Sequence, residues 1–320
     1  MIKKKLLIVF LILIQKILLA ETIYVSNEKD HNISVIDGDS LEVIKTVKVG
    51  HRPRGIILSK DKKKIIICTS DDNRITVVDV DSLEVDYYLP SGPDPELIVM
   101  DDAGKFIYVA NEDDNMVTVV DYLGKKVVKE IPVGVEPEGM GLSPDGKTLV
   151  NTSETTNMAH FIDTSTLEIK ANVLVDSRPR VAQYTSDGKF VWVSSEIGGT
   201  ISIIDTTQLE IIKKIEFKIP GLSKESIQPV GIRLDDKRQL AYVALGPANR
   251  IAIVNMKTLQ VEKYILTGQR VWNLMINTDG TKLYTTNGVS NDISVIDIDK
   301  RKVIKSIPVG RYPWGVAIKE

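Results

Sequence analysis

Arg52, Arg54, Glu96, Glu138, Arg178, Arg180, Arg270, Trp272 and Trp314 each flank a recurring position, read as Pro53, Pro95, Pro137, Pro179, Pro229, Val271 and Pro313. The residue before it runs Arg52, Asp94, Glu136, Arg178, Gln228, Arg270, Tyr312. The residue after it runs Arg54, Glu96, Glu138, Arg180, Val230, Trp272, Trp314. Charges of both signs and two tryptophans therefore fall at equivalent places of a repeat. Two chemistries fit them. One is a ring of ion pairs, Arg54 with Glu96 and Glu138 with Arg180, screened by water and of modest value. The other is a concave polar site. In it, Arg270, Arg52 and Arg54 would hold a small anion or an acidic partner loop between tryptophan walls, a combination that binding hot spots favour. A second acidic row, Glu28, Glu112, Glu154 and Glu196, keeps the same phase.

Other chemistry is sparse. The chain has 320 residues with three histidines and one cysteine, which excludes a disulfide framework, a cysteine-based zinc site and a c-type haem motif. His160 replaces a small residue of the other repeats and is a weak candidate for a metal or haem ligand, set against a histidine hydrogen-bonded within a sheet. His31 and His51 lie in loops of different repeats without a ligand-pair spacing. No Gly-x-Ser-x-Gly elbow, phosphate-binding glycine loop or His-Glu-x-x-His occurs. The expectation is no catalytic residue, no metal and no cofactor.

The elements that must carry these residues follow from the repeat itself. Ile36-Asp37, Val78-Asp79, Val120-Asp121, Ile162-Asp163, Ile204-Asp205, Val254-Asn255 and Ile296-Asp297 are spaced by 42, 42, 42, 42, 50 and 42 residues. The proline marker keeps that register, including its one interruption. Such a period with strand-like content means propeller blades. Each unit reads as four short strands rich in β-branched residues, with Asp145-Gly146, Asp187-Gly188 and Asp279-Gly280 as tight turns. The predicted fold is all-β, a seven-bladed β-propeller over residues 21–320. Its last blade takes one strand from the C-terminus, Pro313 to Ile318, and three from the N-terminus, beginning near Thr22. The flanking rows then ring the mouth of the central channel. The eight extra residues around Lys218 to Gln228 open on the same face.

Tyr108-Val109-Ala110-Asn111 and Ile131-Pro132-Val133-Gly134 resemble the YVTN-type β-propeller repeat. Residues 26–32, 92–97, 151–160, 244–250 and 310–315 resemble more closely the β-propeller proteins associated with PQQ-dependent catabolism. That resemblance implies an exported protein that accompanies PQQ-dependent dehydrogenases. It supplies no catalytic residues, and the tryptophan-bearing repeats that hold PQQ in quinoproteins are missing, so PQQ is not expected on this chain.

Lys3, Lys4 and Lys5 followed by the apolar run Leu6–Ile14 form a signal-peptide pattern over residues 1–20, with cleavage after Ala20. The run is too short to span a bilayer, which needs about 20 apolar residues; an uncleaved anchor is the alternative. Without residues 1–20, 41 − 4 = 37 basic side chains face 43 acidic ones, a net charge of −6. That excess argues against nucleic acid. The function expected is a non-catalytic, exported binding or accessory protein, periplasmic or secreted. It would be a monomer without stable membrane insertion, with a periplasmic dehydrogenase or a small anion as partner. The alternative is a propeller enzyme, lactonase-like or a haem- or metal-bearing oxidoreductase.

Overall fold

The computed structural model describes residues 21–320, so the signal-peptide expectation for residues 1–20 lies outside the described residues. Among the described residues, 28 strands form seven four-stranded antiparallel sheets, and the helical segments are two 3-10 turns, Ser70–Asp72 and Lys224–Ser226. No helix among these residues is long and apolar enough to cross a membrane.

We number blades by their innermost strands: Pro53–Leu58, Pro95–Met100, Pro137–Leu142, Pro179–Tyr184, Ile232–Asp235, Val271–Ile276 and Pro313–Lys319. Each inner strand packs against the next, and the seventh packs against the first. The ring is closed by chain ends. Thr22–Asn27 pairs antiparallel with Pro313–Lys319, Thr22 opposite Lys319 and Val25 opposite Val316. Closure leaves no sheet stack open at either end.

The repeat markers have local causes. The acidic or amide residue of the Ile-Asp marker organises the outer hairpin turn. Asp37, Asp79, Asp121, Asp163, Asp205, Asn255 and Asp297 each accept the backbone N–H three residues on, at 2.7–3.1 Å. These are Asx turns, and they explain the spacing without any catalytic role. At the channel wall, Gly55, Gly139, Gly231 and Gly315 alternate with Leu97, Val181 and Asn273. A Cβ on Gly139 would stand 2.0 Å from the Arg180 carbonyl oxygen, and one on Gly55 2.3 Å from that of Glu96. Glycine is needed there so that adjacent inner strands can approach.

The core lies between blades rather than within one. Tyr24, Ile33 and Val35 of blade 7 pack on Ile65 and Ile67 of blade 1. Each buried isoleucine of this kind contributes about 1.5–3 kcal/mol. Cys68 is a buried filler whose thiol is pushed well up by burial. The extra residues of the fourth link are also structural in part. Ile219 and Ile227 are buried in the cluster of Trp192, Phe217 and Val243 between blades 4 and 5. The inner strand of blade 5 is accordingly short and starts at Ile232, three residues past Pro229.

Candidate functional site

The links entering each blade set the first row of the mouth. Arg52, Asp94, Glu136, Arg178, Arg270 and Tyr312 all have φ of +47° to +59°. Six blades share this left-handed conformation, so it belongs to the link and not to one site. It turns each side chain over the channel rim. The row after the marker lies deeper. Glu96, Glu138, Arg180 and Trp314 are buried, while Arg54 and Trp272 are partly exposed.

Two ion clusters result. In the first, Arg52 binds Asp94 at 2.6 Å and Glu96 at 3.2 Å, Arg54 binds Glu96, and Glu28 lies 3.7 Å from both arginines. In the second, Arg180 binds Glu138 at 3.0 Å and also Glu154; Glu196 lies 3.7 Å away. Arg178 joins Glu154 at 2.7 Å and Glu196 at 3.3 Å. Arg270 reaches across from blade 6 to Glu196 at 2.8 Å. The border pairs Arg54–Glu96 and Glu138–Arg180 are thus present. The acid-free sector expected around Arg270, Arg52 and Arg54 is not, because the second acidic row swings in to meet them. Trp314, at 2% exposure, is buried beneath Arg54 and forms no wall. Trp272 remains half-buried, with Arg270 4.4 Å above its ring.

The mouth holds more acid than base. Burial opposes that excess. Burial pushes the Glu96 carboxyl well above the usual carboxylate range, and it raises Glu112, which lies within hydrogen-bonding reach of Glu96. Burial also raises Glu154 to about 7, against the pull of Arg180 and Arg178. Asp94, Glu96 and Glu112 bring one oxygen each within 4.8 Å of one another, a set that suits a shared proton or a hard cation. Four buried atoms of these clusters have no hydrogen-bond partner among the described residues: Arg54 Nε, Arg180 Nε, Glu138 Oε2 and Glu154 Oε2, the second and fourth within ion-pair distance of Glu196 and Arg178.

His160 is placed away from this mouth's chemistry. Its Nε2 accepts the Gly134 N–H at 2.9 Å, and its Nδ1–H donates to Asn172 at 2.6 Å. Both nitrogens are used, so no lone pair is left for a metal, and burial lowers its pKa. The sequence reading missed a different pair. His31 and His51 lie with ring centroids 4.9 Å apart, edge to face. The Arg52 N–H donates to His31 Nδ1 at 3.1 Å, which puts the neutral ring's proton on Nε2. His51 is the reverse: its Nδ1–H donates to Asp72 Oδ1 at 2.7 Å, leaving the Nε2 lone pair outward on a side chain 66% exposed. For His51 and Asp72 the signal was present as a 21-residue offset, half the period. Gln269–Ser290 has the same offset and the same geometry, a backbone N–H donated to the later residue's side chain.

Residues 65–182 match a family model described as the cytochrome D1 heme domain. The matched span carries Asp72, Asp94, Glu96, Glu112, Glu138, Glu154, Arg178 and Arg180, and is less than half of the chain. No curated protein matches. Among solved structures, hydrazine synthase of Kuenenia stuttgartiensis is similar at 22% identity and TM-score 0.79, over 86% of this chain and 92% of that one. A functionally unknown protein from Desulfotomaculum acetoxidans is similar at 16% identity and TM-score 0.77, over 93% and 98%. The dihydro-heme d1 dehydrogenase NirN, in complex with DHE, is similar at 15% identity and TM-score 0.67, over 90% of this chain and 63% of that one. At these identities the structures speak for the fold, a β-propeller. The heme-domain match corrects one expectation: a protein without any cofactor is not what residues 65–182 point to.

Proposed function

We propose that the protein binds a haem-type tetrapyrrole at the mouth of its channel, with His51 as the ligand to the iron. The observation that carries this is the orientation of His51. A carboxylate on Nδ1–H and an open Nε2 are what metal-bound imidazoles almost always have. The rest of the mouth fits such a pigment. Its carboxylates need donors, and Arg54 Nε has no hydrogen-bond partner among the described residues. Its flat apolar face needs an aromatic neighbour, and the Trp272 indole is half-open. Burial, which raises Glu96 and Glu112, weakens the repulsion of the acidic rows against an anionic ligand. When bound, the iron would supply redox and small-ligand chemistry. The chain's own part is to orient His51 through Asp72, to present His31 Nε2–H beside it, and to pair carboxylates.

We place the mature chain outside the cytoplasm, on the basic and apolar pattern of residues 1–20. The resemblance to PQQ-associated propellers adds an oxidative pathway as setting and a dehydrogenase as partner. The test is an absorption titration of the full chain with haem d1, and with protoporphyrin haem for comparison. The expected result is saturation at one equivalent with a spectrum that His51→Ala shifts or abolishes. No spectral change with either pigment overturns the reading.

A further inference from the structure

The opposite end of the channel is a different environment. A cavity of about 450 Å³ opens there between the inner strands of blades 1 to 6. Its wall is mainly aliphatic, with Ile57, Val99, Leu142, Val181 and Met275 among the lining residues. One cation stands in this wall, Arg233. The other arginines of the channel, at positions 52, 54, 178, 180 and 270, all have carboxylate partners. Arg233 has none among the described residues. Its Nη1 donates to the adjacent Ile232 carbonyl at 2.7 Å, and its Nε meets the Met275 sulfur at 3.5 Å. Its Nη2 has no partner among the described residues. Burial alone acts on the guanidinium and pulls its pKa down to about 10, with no acid to offset it. Gln183 lines the same cavity, and its Oε1 is buried and unpaired. The nearest acid in the lining is Asp236 at the rim. It accepts the Ser186 N–H at 3.2 Å and forms no ion pair with Arg233.

A cation half-buried in an apolar wall with no counter-ion gives up hydration that no acid repays. An apolar cleft of this size with a few convergent polar groups is the usual form of a small-ligand site. We propose that this cavity binds an aliphatic carboxylate, its head group on Arg233 Nη2 and its chain against Ile57, Val99 and Met275. Charge complementarity selects the head, because a carboxylate supplies the negative acceptor that Arg233 Nη2 does not find among the described residues. The aliphatic wall selects the chain. This site is separate from the mouth, so it stands or falls without the tetrapyrrole reading.

The test uses the full chain and two probes of equal length, decanoate and decanol, by titration calorimetry. Decanoate is expected to bind with saturation at one equivalent, and decanol about tenfold or more weakly, the weight of a charge-assisted hydrogen bond. Arg233→Met should weaken decanoate by the same factor and leave decanol unchanged, while Arg233→Lys keeps the preference for the acid. Val99→Phe, which fills the cavity and leaves the arginine, should weaken both probes. Thermal melts identify any variant that fails to fold. Equal binding of the two probes by the native chain, or decanoate binding indifferent to Arg233→Met and Val99→Phe, overturns the proposal.

Discussion

The two ends of the channel use arginine in opposite ways. At the mouth, Arg180 is buried among Glu138, Glu154 and Glu196, and their attraction raises its pKa despite burial. At the far end, burial lowers Arg233 to about 10 with no attraction to answer it. Both side chains come from equivalent inner strands, one and four residues past the marker proline. The difference shows that a conspicuous charge cluster is not in itself a binding site. Where charges satisfy one another, they fix the links of the fold. Among the described residues, a site is marked by what stays unpaired: Arg233 Nη2 at one end, His51 Nε2 and Arg54 Nε at the other.

The largest test of that contrast exchanges each arginine for methionine. Arg180→Met leaves three buried carboxylates facing one another, and removing one partner of a buried pair costs about 3–5 kcal/mol. Arg233→Met removes an uncompensated charge and leaves an aliphatic chain in an aliphatic wall, so stability should hold or rise. Urea denaturation of both variants at pH 7.5 reads the difference. Equal losses would mean that Arg233 is a structural cation after all, and the distinction between the ends would fail.

A smaller effect is expected from acid. Glu154 has a folded pKa of about 7, above its ordinary 4.5, so the folded chain holds this proton more tightly than the unfolded one. Its contribution is fully present below about pH 4.5 and is lost as pH rises through about 7. Glu96 and Glu112, also raised, act in the same direction. His160 is lowered by burial and acts in the opposite direction within the same window. Glu154→Gln isolates the mouth, since the amide imitates the protonated acid and His160 is common to both proteins. Between pH 5 and 8 the melting temperature of the wild type should fall further than that of the variant. Parallel curves would show that Glu154 is ionised throughout and that the second cluster is an ordinary salt bridge.

Much of this molecule was legible in its sequence, and for definable reasons. The period of 42 residues is visible because every blade uses the same Asx turn at its outer hairpin, from Asp37 to Asp297. Blade closure is visible because the phase of Thr22 and Pro313 leaves one strand for the C-terminus. The rows of the mouth are visible because links and loops open on one face. Their partners are not. Arg270 meets Glu196 across 74 residues and two blades, a contact set by how far a guanidinium reaches over the channel. The burial of Trp314 depends on the packing of inner strands, which a pattern of residue types does not report. The extra residues of the fourth link carried apolar side chains, Ile219 and Ile227, that belonged in a core between blades 4 and 5.

The finest test concerns His31, where structural and chemical roles meet in one ring. In five other blades the equivalent residue is asparagine, at 73, 115, 157, 249 and 291, with φ of +54° to +61°; His31 has +57°. Each asparagine Oδ1 accepts the backbone N–H of the next link at 2.9–3.1 Å. His31 Nδ1 does the same for Arg52 at 3.1 Å. Asparagine tolerates the left-handed region well. His31→Asn should therefore change stability by no more than about 0.5 kcal/mol, the range of a substitution that removes no buried group. The ring contact with His51 would be lost, yet His51 would keep its bond to Asp72, because that carboxylate stands on the turn Ser70–Asp72 and does not touch His31. Denaturant midpoints at pH 7.5 measure the first expectation, and the nitrogen chemical shifts of His51 measure the second. A loss well beyond that range, or a change of tautomer at His51, would show that the two rings hold each other. The open Nε2 of His51 would then be a product of ring packing, and the carboxylate of Asp72 would lose its place as the group that orients it.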